Sequence, residues 1–116
     1  MAIKRPGQAF QVLPVAEEQR SKMQQYAASV AINDELRLVA MTAPRGGRMF
    51  IWDLDSAKLR LDAPFPDCAG VAASAQGFVV TTGVGRCRAY DCRTEKFSMQ
   101  PLNLPAGLWD NHAIVI

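Results

Sequence analysis

Residues 42–53 read TAPRGGRMFIWD and predict a β-hairpin. An apolar run ends at Pro44, a turn follows, and a second apolar run ends in Trp52-Asp53. Gly46 and Gly47 suit the turn because the favoured tight turns of hairpins need residues that adopt positive φ. The stretch therefore indicates antiparallel β structure, and it carries no complete catalytic or ligand-binding motif.

The same pattern returns roughly 40 residues later, a period typical of β-propeller blades. An apolar run at Phe78–Thr82 and a turn at Gly83–Gly85 precede a second run at Arg86–Asp91. Further strand-like segments flank the two copies, at residues 29–32, 59–61, 70–73 and 96–99. We therefore predict a mainly β fold, with about two four-stranded antiparallel propeller-type blades and one short N-terminal helix.

Each copy ends its third predicted strand in an aromatic residue followed by an acid, Trp52-Asp53 in the first and Tyr90-Asp91 in the second. WD40-like blades often carry such a pair at this place. Stacked blades bury their inner strands on both faces, which explains the continuous apolar runs. The alternative is a closed β-sandwich of about seven or eight short strands, which the spacing does not exclude.

The chain is predicted to form a single β domain over residues 1–116. Residues 1–27 would form a strand or hairpin plus a helix, which the pattern places at Val15–Tyr26 with Pro14 at its first position. The first blade-like repeat would span residues 28–67. The second repeat and a C-terminal tail would span residues 68–116.

Composition and charge exclude several classes of partner. The chain is 49% hydrophobic and 21% charged, with a net charge of +2 and scattered basic residues. A nucleic-acid-binding face needs clustered Lys and Arg with aromatics between them, so no nucleic-acid partner is expected. No run approaches the ~20 apolar residues of a membrane helix, so no membrane insertion is expected. Met1–Gly7 has no apolar segment after it and does not read as a signal peptide.

Three cysteines leave at least one thiol unpaired. Cys87 and Cys92 lie on one predicted strand and would point to opposite faces, so they pair with difficulty. The sequence leaves undecided whether Cys68 forms a disulfide with Cys87 or with Cys92. Cys68 is also a candidate reactive thiol, although a buried small hydrophobic role suits it better because no histidine neighbours it in sequence.

The sequence resembles the C-terminal part of an uncharacterised bacterial β-propeller family, the domain of unknown function 1513. Residues 45–53 (RGGRMFIWD), 68–72 (CAGVA) and 77–83 (GFVVTTG) carry the likeness. Residues 26–31 are similar to the strand that opens the penultimate blade of that family, and Trp109–His112 looks like its closing motif. The resemblance covers about the whole chain.

The resemblance implies a non-enzymatic binding or scaffold module of unknown ligand. Family members are longer, resemble periplasmic proteins with a twin-arginine signal, and tend to be encoded near iron-uptake components. The implied location is therefore the periplasm if the chain is part of a longer parent with a signal, and the cytoplasm otherwise. The alternative function is part of a propeller enzyme, or of a metal-binding site assembled with other blades or subunits. Neither the resemblance nor the residues identify a cofactor, so the cofactor stays unknown.

Two blades alone would leave two open faces and long exposed edges. Propellers normally close their ring and so remove such ends. We therefore expect self-association as a homodimer or a higher oligomer. The sequence leaves undecided whether the chain also binds a different protein.

Candidate ligand-binding residues are few, and no catalytic residue is identified. Arg45 and the backbone N–H groups of Gly46 and Gly47 could hold an anion at a hairpin tip, although a solvated turn is the preferred explanation. Asp67 could pair with Asp53 as a second carboxylate or cap a turn. The remaining candidates form one C-terminal cluster with turn-forming or metal-binding potential: Asp110, Asn111 and His112.

Overall fold

A computed structural model of the protein describes residues 1–98. The first 25 residues or so contribute a small hairpin and a helix, and the rest forms two larger sheets. In chain order the elements are β1 (Ala2–Lys4), β2 (Phe10–Val12), α1 (Glu17–Lys22), β3 (Ser29–Asn33), β4 (Leu38–Ala43), β5 (Arg48–Asp53), β6 (Leu59–Pro64), β7 (Cys68–Ser74), β8 (Gly77–Thr82), β9 (Cys87–Asp91) and β10 (Lys96–Phe97).

Each large sheet is an antiparallel meander of four strands. The first has the order β3-β4-β5-β6 and the second the order β7-β8-β9-β10, while β1 and β2 pair separately. Within residues 1–98 every strand pairs only with its neighbours in sequence, and neither sheet closes into a barrel. The prediction of a mainly β fold with four-stranded antiparallel sheets is confirmed.

The β4–β5 hairpin forms where residues 42–53 predicted it. Its register pairs Ala43 with Arg48 at the tip. Gly47 has a φ of +60°, and its N–H donates to the carbonyl of Pro44 at 3.0 Å. All six residues of β4 are buried, as expected for an inner strand covered on both faces.

The helix is shorter than predicted. The pattern indicated Val15–Tyr26, but α1 begins at Glu17 and ends at Lys22. Ala16 is extended, with ψ of 156°, and no side chain caps the first turn. Gln24 and Gln25 then take positive φ, which ends the helix because a right-handed helix cannot continue through such residues. Pro14 lies outside the helix, where its carbonyl accepts the indole N–H of Trp52 at 3.0 Å.

The main core lies between the two sheets. Buried apolar side chains from β4 and β5 of the first sheet meet those from β7, β8 and β9 of the second. Alternate residues of each strand share a face, so the interior receives every second side chain. The buried members of this core are Leu38, Ala40, Met49, Ile51, Phe65, Cys68, Val71, Phe78, Val80 and Tyr90.

The N-terminal segment covers the other face of the first sheet. Phe50 and Trp52 are fully buried there, with ring centroids 5.8 Å apart. They form a second core with Leu13, against which Ile3 and Met23 also pack. The expectation of two open faces is therefore wrong for this sheet, because the hairpin and helix cover most of its outer side.

Polar side chains of the first sheet bind the backbone of β7. Ser29 Oγ accepts the N–H of Val71 at 3.2 Å, and Thr42 Oγ1 donates to the carbonyl of Ala69 at 2.6 Å. The Asn33 amide nitrogen donates to the carbonyls of Ser74 and Gly77, at 2.8 and 2.9 Å. These bonds provide hydrogen-bond partners for backbone groups of the second sheet that face the first. Buried backbone N–H and C=O groups need such partners.

The two sheets repeat the same turn chemistry. Asp53 Oδ1 accepts the N–H groups of Asp55 and Ser56 after β5. Asp91 Oδ1 accepts the N–H groups of the two matching residues, Arg93 and Thr94, after β9. The bonds from Ser56 hold the pKa of the Asp53 carboxyl below its usual range. The acids that follow Trp52 and Tyr90 therefore close turns of the same kind.

Replacing Asn33 by aspartate tests the link between the sheets. The carboxylate can still accept the N–H of Leu36 at 3.1 Å, as Asn33 Oδ1 does, but it cannot donate to the carbonyls of Ser74 and Gly77. We expect Asn33→Asp to lower the free energy of unfolding by about 2 to 4 kcal/mol, because buried carbonyls lose their donors and face a negative charge. Urea unfolding followed by tryptophan fluorescence measures this.

Glu35→Gln is the matched control, since Glu35 is exposed on the same turn. Its effect should stay within about 0.5 kcal/mol. Equal stabilities of Asn33→Asp and the parent protein would show that Asn33 does not hold the sheets together.

Candidate functional site

The predicted anion site at residues 45–47 lies beneath the helix. A Cβ atom at Gly46 would overlap the carbonyl oxygen of Lys22 at the end of α1, so glycine permits this close approach. The Arg45 guanidinium lies over the Tyr26 ring, 5.0 Å from its centroid. The N–H of Gly47 is already bound to a carbonyl within the turn. The structure therefore gives this tip a packing role between sheet and helix.

Ion pairs reinforce the same contact. Lys22 Nζ lies 2.7 Å from Glu18 and 3.5 Å from Asp62 of β6, and Asp62 also pairs with Arg48 of β5. The hydrogen bond from Lys22 to Glu18 raises the pKa of the lysine. Lys22 and Glu18 are 36% and 74% exposed, so the pair between them orients the helix more than it stabilises it.

Gly46→Ala tests this packing role. The added methyl group must displace the end of α1 or the hairpin, and we expect a loss of about 1 to 3 kcal/mol in the free energy of unfolding. Amide hydrogen exchange in α1 should become faster than in the parent protein, whereas exchange in β4 should change little. The measurements are urea unfolding and amide exchange.

Gly7→Ala serves as the control for Gly46→Ala. Gly7 has a φ of +71° but no atom within 4 Å of a new Cβ. Only the backbone conformation should then cost energy, about 1 to 2 kcal/mol, with α1 exchange unchanged. If Gly46→Ala leaves α1 exchange unchanged as well, the helix does not depend on this glycine.

Asp67 lies in the linker between the sheets and not beside Asp53. Its backbone has a φ of +59°, and its Oδ2 accepts the N–H of Val84 at 3.1 Å. Its carbonyl accepts the N–H of Gly83 at 3.3 Å. Asp67 therefore holds the β8–β9 turn against the linker, whereas Asp53 binds its own turn.

A cleft of about 360 Å³ opens where this linker meets the β8–β9 turn. This volume lies within the range of small-molecule sites in proteins. Its walls come from the β6–β7 linker, the β8–β9 turn, the start of β9 and the end of β10. The lining residues are Pro64, Phe65, Pro66, Asp67, Thr82, Val84, Arg86, Arg88 and Phe97.

The cleft combines cationic and aromatic side chains. Arg86 directly precedes β9 and Arg88 is its second residue, and both line the cleft. Phe65 and Phe97 contribute rings whose centroids are 5.1 Å apart. Val84 is 66% exposed at the rim. Guanidinium groups beside an apolar wall can bind an anion and the apolar group attached to it.

Sequence reasoning found one lining residue of this cleft, Asp67, and missed the two arginines. The alternation of Arg86, Cys87 and Arg88 was a usable signal, because it places both cations opposite a buried cysteine. The alternation could not indicate that the β6–β7 linker would lie opposite the two arginines. That juxtaposition depends on the stacking of the sheets.

The C-terminal candidates, Asp110, Asn111 and His112, lie outside the described residues, and their predicted role stays a prediction. Among residues 1–98, no cluster of three or more histidine, cysteine, aspartate or glutamate side chains is placed to hold a metal ion.

All three cysteines are free thiols. Cys68 and Cys87 are buried, and burial raises the pKa of both. The Cys68 thiol donates to the carbonyl of Arg48 at 3.1 Å. Burial, with a smaller effect of the Asp91 carboxylate, raises the pKa of Cys92 to about 11. Thiolates are the reactive form, so none of the three is activated as a nucleophile.

Alkylation with iodoacetamide tests the state of the thiols. At pH 8 a thiol with a pKa near 11 is thiolate in roughly one molecule per thousand, so the folded protein should react slowly and faster as the pH rises toward 11. Unfolding in urea without reductant should give three alkylations by mass spectrometry. A single alkylation would instead reveal a disulfide.

In the part of the chain described here, no helix combines the length and the apolar character needed to span a bilayer. A comparison with curated proteins found no match, and neither did a comparison with solved structures. A match to the family described as "Protein of unknown function (DUF1513)" covers residues 1–116. The match spans the whole sequence, and the chain therefore belongs to the DUF1513 family.

Proposed function

We propose that the chain is a non-enzymatic β-propeller-type binding or scaffold module, in which each four-stranded sheet is one blade. The observation that carries this proposal is the stacking of consecutive sheets, with β7 of the second against β3 and β4 of the first. Propellers are built by radial repetition of four-stranded sheets that bury their faces on their neighbours.

The direction of stacking favours a propeller over a sandwich. Trp52 faces the N-terminal elements, which precede its sheet in the chain. Tyr90, at the equivalent place in the second sheet, faces the first sheet, which precedes it. Each sheet thus turns the same face toward the segment before it. Such a head-to-tail arrangement can continue by adding repeats, whereas a symmetric sandwich would turn equivalent faces toward each other.

Binding is favoured over catalysis by the chemistry of the cleft beside Asp67. Its polar side chains include two arginines, which bind anions but do not transfer protons near neutral pH. The Asp67 carboxylate already accepts the N–H of Val84. A setting in periplasmic iron uptake is part of this proposal and is supported by the family resemblance alone.

The proposal predicts that the purified 116-residue chain self-associates through the exposed apolar part of the outer face of its first sheet. Residues 1–23 cover most of the outer face of the first sheet, but Val30 and Ile32 of β3 are 52% and 54% exposed on it. Val30 and Ile32 lie on that outer face, because Ala31 between them packs against the main core. Multi-angle light scattering should give a discrete oligomer, with a dimer at twice the chain mass of 12.7 kDa as the simplest case.

Charge substitutions locate the surface. Ile32→Lys should shift the oligomer toward the monomer, because a lysine ammonium is costly to bury in an apolar contact. Val84→Lys is the control, since Val84 is 66% exposed on the β8–β9 turn of the second sheet. A folded parent protein that stays monomeric at all concentrations would overturn the stacking proposal. A stoichiometric metal in the purified protein would favour the alternative of a metal site.

A further inference from the structure

We propose that the cleft between the β6–β7 linker and the β8–β9 turn binds a small organic carboxylate that carries an aromatic or similar apolar group. This inference goes beyond the proposed module function. It depends only on the local chemistry of the cleft and would hold even if the chain formed no ring.

Two arginines supply the anion-binding part of the site. Arg86 is exposed and Arg88 half-buried, and both line the cleft. Within residues 1–98 neither forms an ion pair, whereas Arg37, Arg48 and Arg60 each lie within 4 Å of a carboxylate. A guanidinium offers a planar fork of N–H donors that matches the two oxygens of a carboxylate.

The apolar part of the site lies beside these cations. Phe65 and Phe97 pack with tilted rings, and the ring centroids of Phe97 and buried Tyr90 are 4.9 Å apart. This aromatic wall is anchored in the main core and cannot collapse into the cleft without disturbing it. The exposed Val84 side chain at the rim adds apolar surface that a bound ring would cover.

Asp67 positions the turn and also limits which ligands fit. Its Oδ2 holds the N–H of Val84, and its Oδ1 lies near Gly83, so the turn is fixed before any ligand binds. Its negative charge disfavours ligands with several charges spread across the cleft. A single carboxylate directed at Arg86 and Arg88, with its apolar group toward Phe65 and Phe97, suits this charge pattern best.

Benzoate is the probe that tests the site, with benzamide as the uncharged analogue of the same shape and acetate as the anion without a ring. Amide chemical shifts in two-dimensional NMR should change with benzoate at Thr82, Val84, Arg88 and Phe97. They should not change at Ile32 on the first sheet. We expect a benzoate Kd of roughly 0.1 to 10 mM, and binding of benzamide and of acetate weaker by about tenfold or more.

The double variant Arg86→Gln and Arg88→Gln should weaken benzoate binding by about tenfold or more, because it removes the charge-assisted hydrogen bonds. Arg93→Gln is the matched control, since Arg93 is an exposed arginine outside this cleft. It should leave the Kd unchanged. The NMR spectrum of each variant reports whether it is folded.

Four results would overturn the inference: no shift at the cleft residues, equal affinity for benzamide, equal affinity for acetate, or unchanged binding in a folded double variant. If the double variant does not fold, the comparison of benzoate with benzamide on the parent protein decides. A monomeric protein that still prefers benzoate at these residues would reject the stacking proposal and support the carboxylate site, so the two can fail separately.

Discussion

The stacking of the second sheet on the first depends on hydrogen bonds from side chains to the backbone of β7 and the turn after it. Asn33 is central, because its buried amide donates to the carbonyls of Ser74 and Gly77 on either side of the β7–β8 turn, while its oxygen accepts the N–H of Leu36 in its own turn. Thr42 holds the carbonyl of Ala69, where the register between β7 and β8 is irregular. An edge strand with unpaired backbone groups could otherwise not be buried against a neighbouring sheet.

This stacking gives the two equivalent hairpins different surroundings. The tip of β4–β5 is closed by α1, with Gly46 directly beneath the carbonyl of Lys22. The tip of β8–β9 meets the linker through Asp67, and the two arginines that follow line a cleft formed among residues 1–98. The repeats share strand order and turn chemistry, so the difference between their tips arises from what covers them. In our proposals one tip serves assembly of the fold and the other serves binding.

The fold could be predicted from the sequence further than the site could. Strand periodicity and the glycine turns located both four-stranded sheets, because alternation and turn chemistry are local properties. The helix was predicted too long, since its apolar stripe did not reveal that Gln24 and Gln25 would take positive φ. Asp67 was identified as a turn-capping candidate, but its partner, Val84, is 17 residues away and was not predictable from local pattern.

The sequence by itself determined the mainly β architecture and the repeat, because both follow from short-range patterns of apolar and turn residues. It also determined membership in a family, because the similarity extends over residues 1–116. Only the tertiary structure decided which faces are covered and which cations share a cleft with Phe65 and Phe97. Arg86 and Arg88 are near neighbours in sequence, yet the wall opposite them comes from the linker and from β10. Contacts between segments far apart in the chain depend on how sheets pack, and packing is decided by the shape and burial of all side chains together.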